Sequence, residues 1–136
     1  GFGASSISQL TSAYSQNIKN GAEYIKAIEK NNVAVLRGYK LNRNQKIVRE
    51  VINSIMCNNY LDFNEISTLH SIDIDKIKEI TNYNESKFDE FEDNGFIKKN
   101  QNYISINNSA RLVVRNIAMK FDPLISSNKG VYSKTI

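Results

Sequence analysis

The sequence predicts a mainly α-helical protein with one small β hairpin, and three observations carry that prediction. Apolar residues recur every three or four positions in several segments between residues 18 and 121, the period of a helix with one buried face. Two short runs, Phe96–Lys99 and Tyr103–Ile106, flank Asn100-Gln101-Asn102, a pattern typical of a hairpin. The order helix, helix, helix, hairpin, helix over residues 43–121 is that of a winged-helix-like domain.

The first part of the chain is predicted to hold a loop, a helix and an extended segment. Residues 1–8 are expected to form a loop or the end of a strand. A helix from Ile18 to Lys30 follows, because four apolar side chains fall on one face and two asparagines end it. The apolar run Val33–Leu36 is predicted to be a short strand, which Arg37 and Gly38 interrupt.

The remaining elements form the winged-helix-like part. Asn42 is predicted to cap the strongest helix, whose broad apolar face runs from Ile47 to Met56. The later helices are expected over residues 60–66, 73–80 and 84–94, and from Asn108 or Ser109 to Phe121, where Pro123 ends the last one. The predicted domains are residues 1–41 and residues 42–136.

Charge is distributed in blocks along the chain, although the formal net charge is only +4. Residues 1–60 carry eight basic and three acidic side chains, residues 61–95 carry three and ten, and residues 96–136 carry seven and one. The helix before the hairpin would face the major groove of DNA, and its residues 85–93 contain five acids and one lysine. These acids would repel DNA phosphates, so we expect no nucleic-acid partner.

The composition excludes several other classes. No apolar run approaches the roughly 18 residues of a membrane span, so no membrane partner is expected. The single cysteine, Cys57, cannot form an internal disulfide, which is typical of a cytoplasmic protein. One cysteine and one histidine are too few for a self-contained zinc or iron–sulfur site, so no metal ligands are predicted.

Few side chains are candidates for chemistry. Cys57 ends the most apolar helix and is expected to be a buried small side chain. Arg111 and Arg115 lie four positions apart and are expected to share a helix face, either as carboxylate ligands or as solvated or ion-paired charges. Arg37 beside Gly38 is interpreted either as part of a strand end that allows close backbone approach or as a structural arginine with its hydrogen bonds satisfied. No residue is predicted to be catalytic.

The opening GFGASSIS is the most unusual stretch. Gly1 and Gly3 let backbone come close to a flat or anionic ligand. The stretch lacks the third glycine, the preceding strand and the later acid of a dinucleotide-binding fingerprint. It is therefore not predicted to bind a dinucleotide.

Several short motifs follow one another in a fixed order. They are GFGASSIS at 1–8, YSQN at 14–17, RG at 37–38, VINSIMCN at 51–58, LDF at 61–63, GF at 95–96, ARLVVRNIAM at 110–119 and FD at 121–122. Together, and over essentially the whole chain, they resemble the C-terminal third of oxygen-independent coproporphyrinogen III oxidase, a radical-SAM family of haem biosynthesis.

The resemblance implies an oxidoreductase that converts coproporphyrinogen III to protoporphyrinogen IX by oxidative decarboxylation. It implies S-adenosylmethionine and a [4Fe–4S] cluster as cofactors of the full-length enzyme. The family holds that cluster on a CxxxCxxC motif, which this sequence lacks. Residues 1–41 would then be the tail end of the catalytic barrel, and residues 42–136 a helical domain that covers the active site.

The resemblance also implies site residues and partners. Ile7 would contact S-adenosylmethionine, Gly1 and Gly3 would permit its approach, and Arg37 would bind a substrate propionate. The partner would be an N-terminal radical-SAM barrel, without which this chain is expected to be inactive. Two alternatives remain open, a non-catalytic winged-helix module that binds nucleic acid and a non-catalytic module that binds haem.

Overall fold

The computed structural model describes residues 1–127, which form two compact units, one of residues Gly1–Lys46 and one that begins at Ile47. The fold is mixed α/β, because each unit contains a three-stranded antiparallel sheet. The predicted hairpin is present, but the description of the protein as mainly α-helical was wrong, because two sheets accompany the helices. The interpretation of residues 1–41 as the end of a barrel stays a prediction.

The first unit is built on a sheet in which the middle strand pairs with both neighbours. Its elements in chain order are β1 (Ile7–Gln9), β2 (Ala13–Asn17), α1 (Gly21–Asn31) and β3 (Val35–Lys40). The sheet order is β1-β2-β3, and both pairs are antiparallel. The short strand predicted at Val33–Leu36 thus starts later and continues through Arg37 and Gly38.

The helix of the first unit begins later than predicted. Ile18 continues the extended backbone, since its N–H donates to the carbonyl of Ala34 at 2.9 Å. Asn20 then caps α1, because its side chain accepts a hydrogen bond from the N–H of Glu23. Asn32 ends the helix in the left-handed conformation, which confirms the predicted asparagine stop.

The predicted cap at Asn42 is confirmed by a reciprocal pair of hydrogen bonds. The N–H of Gln45 donates to Asn42 Oδ1 at 2.9 Å, and the N–H of Asn42 donates to Gln45 Oε1 at 3.0 Å. This is a capping box, which satisfies two backbone donors at the start of the helix. The helix that follows, α2 (Arg43–Asn53), continues into a π-helix over Ser54–Asn58.

The second unit contains the predicted hairpin and one additional strand. Strands β5 (Ile97–Lys99) and β6 (Tyr103–Ile106) form the hairpin, and β4 (Tyr60–Asp62) pairs with the other edge of β6. The helix predicted over residues 60–66 begins only at Phe63, because residues 60–62 form β4. Asp62 instead accepts a hydrogen bond from the N–H of Asn64 and so caps the next helix.

The helices of the second unit are short. They are α3 (Phe63–His70), α4 (Ile74–Ile80), a 3-10 turn (Glu85–Phe88), α5 (Asp89–Asp93), a second 3-10 turn (Asn108–Ala110), α6 (Val114–Met119) and α7 (Pro123–Ser127). The predicted last helix is thus broken before α6. α6 ends at Met119, before Pro123, and Pro123 begins α7. A proline is tolerated at the first position of a helix, because its missing N–H would have no partner within the helix there.

A single apolar core holds the second unit together. The buried side chains that the structure describes come from α2, the π-helix, α3, α4, both 3-10 turns, α6, the three strands and the segment after α6: Ile47, Val51, Ile55, Leu61, Phe63, Ile66, Ile77, Phe88, Ile97, Ile104, Ile106, Ala110, Ile117, Ala118 and Phe121. The ring of Phe121 lies 4.9 Å from that of Phe88 and stacks at 5.8 Å on that of Tyr83. No helix within residues 1–127 is long and apolar enough to cross a membrane.

Lys99 forms ion pairs with three acidic residues of the first 3-10 turn and of α5. Its side chain is 6% exposed, and Nζ lies 2.8 Å from Asp89 Oδ1, 2.9 Å from Glu92 Oε2 and 3.9 Å from Glu85 Oε1. Hydrogen bonds to Asp89 and Glu92 raise the pKa of Lys99, and the same contact lowers the pKa of Glu92. Three of the five acids predicted to repel DNA are thus held by the hairpin.

The Lys99 cluster predicts a pH-dependent loss of stability on replacement. We expect Lys99→Met to lower the free energy of unfolding by ~1–2 kcal/mol at neutral pH, because charge-assisted hydrogen bonds are lost. The loss should be largest between about pH 5 and about pH 10. It should shrink in acid, where Glu92 is protonated at its lowered pKa, and in strong base, where Lys99 deprotonates at its raised pKa.

Urea unfolding across this pH range measures the effect. Lys98→Met is the matched control, since Lys98 is the exposed neighbour on the same strand. Equal effects of the two replacements, or a loss that does not vary with pH, would contradict the ion-pair interpretation.

Candidate functional site

An open groove of about 310 Å³ lies on the sheet of the first unit. Side chains and backbone from all three strands line it: Ile7, Tyr14, Ser15, Gln16, Arg37, Gly38 and Tyr39. Two of the residues predicted as binding residues, Ile7 and Arg37, are therefore brought to one groove. They are thirty positions apart in the sequence, so the strand pairing alone brings them together.

The register of the sheet explains this proximity. Ile7 pairs with Gln16, and Gln16 pairs with Arg37, so the three side chains form one row on one face. In this row Arg37 Nε donates to Gln16 Oε1 at 2.9 Å. Gln16 thus lies between the predicted apolar contact and the predicted carboxylate partner.

A second row on the same face supplies the aromatic wall. Tyr14 and Tyr39 pair with each other two positions along from Gln16 and Arg37, and successive alternate residues of a strand share a face. The hydroxyl of Tyr39 accepts a hydrogen bond from Gln45 Nε2 at 2.6 Å. Ile7 is 65% exposed, so its apolar surface is available to a ligand.

The glycine-rich opening is a turn fastened to the sheet. Asn17 Nδ2 donates to the carbonyl of Gly3 at 3.1 Å and to Ser6 Oγ at 3.0 Å. The N–H of Ser5 donates to the carbonyl of Ile18 at 2.8 Å, and the N–H of Gly3 donates to the Tyr24 hydroxyl at 3.3 Å. The turn is therefore ordered by contacts within the first unit.

Each glycine of the turn has a conformational or steric reason to be glycine. Gly3 has φ +95°, a value that side chains rarely permit. A Cβ on Gly1 would lie 3.0 Å from the carbonyl oxygen of Ile7 and 3.0 Å from the side chain of Ser6. The prediction that these two residues also admit a ligand stays a prediction.

Two other sequence expectations were wrong. Cys57 is exposed, because it lies two positions after Ile55 and so does not share the buried helix face of Ile47, Val51 and Ile55. Arg111 and Arg115 do not share a helix face, because Arg111 lies in the turn before α6. In the described part of the chain, no group of three or more His, Cys, Asp or Glu side chains is arranged to hold a metal ion.

Three groove residues, Tyr14, Gln16 and Tyr39, were not predicted from the sequence. The YSQN motif drew attention to the segment, but no role follows from it alone. Tyr14, Ser15 and Gln16 show no alternation of apolar and polar side chains, so the sequence carries no signal of a half-buried strand there.

The chain is similar along its whole length to known proteins. It is 32% identical to the oxygen-independent coproporphyrinogen III oxidase of Pseudomonas aeruginosa and 30% identical to that of Helicobacter pylori strain J99, and it spans 29% of the length of each. It is 31% identical to the enzyme of that name from Escherichia coli K12 over 127 residues, 90% of this chain and 26% of that protein.

The fold agrees with a solved structure. Coproporphyrinogen III oxidase from Escherichia coli, described as a radical SAM enzyme, matches with a TM-score of 0.73 at 28% identity over 91% of this chain and 28% of the other. No family model matches the chain. The resemblance predicted from the motifs, to a C-terminal part of oxygen-independent coproporphyrinogen III oxidases, is confirmed.

Replacement by alanine should have different effects on the free energy of unfolding at Gly3, which has a positive φ, and at Gly21, which does not. Gly3→Ala should lower the free energy of unfolding by ~1–2 kcal/mol, because alanine is strained at positive φ even where space is open. Gly21→Ala, in the first turn of α1 and also facing open space, should leave it unchanged or raise it by up to ~1 kcal/mol. Thermal unfolding of the two variants tests this, and a stabilising Gly3→Ala would contradict the turn geometry.

Proposed function

Because this chain is similar throughout to a C-terminal part of the oxygen-independent coproporphyrinogen III oxidases, we propose that it is the corresponding part of such an enzyme. The full-length protein would convert coproporphyrinogen III to protoporphyrinogen IX in the cytoplasm. The reaction would remove carbon dioxide, one proton and two electrons from each of two propionate side chains and leave vinyl groups, with the electrons passing to an oxidant. The agreement of sequence and fold over nine-tenths or more of the chain carries this proposal.

In the full-length enzyme, S-adenosylmethionine and a [4Fe–4S] cluster would supply the radical chemistry that such a decarboxylation needs. The residues of this chain do not fit the cluster, since it has a single cysteine and its described residues hold no metal-ligand group. The ligands would therefore lie in the N-terminal barrel, the partner that the proposal requires. No step of the reaction is assigned to this chain through the cluster.

The groove residues fit one wall of an S-adenosylmethionine site. Ile7 offers an exposed apolar surface of the kind on which an adenosine group packs. The turn that contains Gly1 and Gly3 lies next to Ile7 in the chain, and the ring of Phe2 between the two glycines is fully exposed. These residues would bind and orient the cofactor, and their apolar surface would exclude water from it.

Arg37 is proposed as the partner of a substrate propionate. A guanidinium binds a carboxylate through two parallel N–H···O hydrogen bonds, which fixes orientation as well as position. Binding the propionates in this way would hold the tetrapyrrole in a defined orientation. Arg37 would thus bind substrate without taking part in electron or proton transfer.

The second unit is proposed to be winged-helix-like and to cover the active site of the full-length enzyme. The order of α2, α3, α4 and the β5–β6 hairpin supports the winged-helix-like description, as does the third strand β4. The two remaining alternatives, nucleic-acid binding and haem binding, stay predictions.

The proposal is tested on the full-length protein, purified without oxygen. We expect a CxxxCxxC motif upstream of Gly1 and conversion of coproporphyrinogen III to protoporphyrinogen IX that depends on S-adenosylmethionine. An upstream reading frame without that motif, or a reconstituted full-length protein with no turnover, would overturn the proposal.

Replacing Ile7 tests its role in cofactor binding. Ile7→Asp should raise the KM for S-adenosylmethionine by ~10-fold, because a charged group replaces the apolar contact surface. Val33→Asp is the matched control, since Val33 is comparably exposed and does not line the groove. An equal change in KM for both variants would show that Ile7 has no specific contact.

A further inference from the structure

The side-chain amide of Gln16 forms two hydrogen bonds, one through its oxygen and one through its nitrogen. Its Oε1 accepts from Arg37 Nε at 2.9 Å, and its Nε2 donates to the carbonyl of Ser5 at 3.4 Å. The first bond crosses from β2 to β3, and the second reaches back to the glycine-rich turn. These two bonds fix the orientation of the amide. If its oxygen and nitrogen were exchanged, the amide nitrogen would meet the Arg37 Nε donor and the amide oxygen would meet the Ser5 carbonyl.

This contact leaves one binding edge of Arg37 open. A guanidinium has five N–H donors, and a carboxylate can bind either across Nε and one terminal nitrogen or across the two terminal nitrogens. Gln16 occupies Nε and blocks the first mode. None of the ion pairs among the described residues involves Arg37, so the terminal edge is available.

The surroundings define the class of carboxylate. The groove beside Arg37 is lined by Ile7, Tyr14 and Tyr39, which favours an anion attached to an apolar body. The strands β1, β2 and β3 contain no Asp or Glu, so they offer no carboxylate to an ammonium group. A propionate fits this chemistry better than the amino-acid end of S-adenosylmethionine, which carries an ammonium beside its carboxylate.

We propose that Gln16 is a positioning residue, which holds the Arg37 guanidinium so that its two terminal nitrogens bind a propionate of the tetrapyrrole. The identity of the carboxylate rests on the function proposed above. The orientation itself rests only on the contacts of Gln16. Without Gln16 the arginine side chain would sample several rotamers, and the bidentate geometry would be lost.

The test measures ligand binding, apart from turnover, in the full-length protein. The probe is coproporphyrin III, the stable and fluorescent oxidised form of the substrate, and S-adenosylmethionine is titrated separately. Gln16→Met, similar in size but without the acceptor, and Arg37→Gln should each raise the Kd for coproporphyrin III by ~10-fold. The Kd for S-adenosylmethionine should stay within about twofold of the starting value.

Lys40→Gln is the matched control, because Lys40 is the other basic residue of β3 and does not line the groove. It should leave both dissociation constants unchanged. Gln16→Met and Lys40→Gln should both keep the thermal midpoint of the unmodified full-length protein, so that a change in porphyrin affinity is not a loss of folding.

The outcomes separate the possibilities. Unchanged porphyrin binding in Gln16→Met, or an equal loss in Lys40→Gln, overturns the positioning role. A loss of S-adenosylmethionine affinity in place of porphyrin affinity overturns the assignment to a propionate. A full-length protein that binds porphyrin through Gln16 and Arg37 but does not oxidise the reduced substrate supports this inference and overturns only the proposed function.

Discussion

The hydrogen bonding of β2 on both of its edges is the constraint on which the candidate site depends. Its register places Ile7, Gln16 and Arg37 in one row, although they come from three separate segments. A slip of one residue in either pair would move one of these side chains to the opposite face. The bulge between Gln16 and Asn17 has a related effect, because the strand bends there and Asn17 can reach the turn.

In the second unit the charge pattern has a structural meaning that the sequence alone did not reveal. The acidic segment from Glu85 to Asp93 lies against Lys99, so part of its charge is neutralised inside the unit. Some acids of this block thus form a contact between a helix and the hairpin and are not only solvent-exposed charges. Tyr83 and Phe121 stack in the same unit, and this aromatic packing comes from segments about forty residues apart.

Helical periodicity was a reliable guide where one face is buried, as at Ile47, Val51 and Ile55. The strands of the first unit were harder to predict, because all five residues of β2 are half-buried and show no contrast between faces. β1 has three residues, too few for a period of two to be recognised. The role of Gln16 depends on a partner 21 positions away, which only the register supplies.

The small interior of the first unit has a consequence for the life of the protein in the cell. Only Ala34 and Leu41 are buried apolar residues there, at 4% and 7% exposure, while ordering each residue costs about 1–2 kcal/mol of conformational entropy. Burial of that size cannot by itself hold 46 residues in one conformation. The first unit should therefore open more often than the second, and proteases should cut the chain there first.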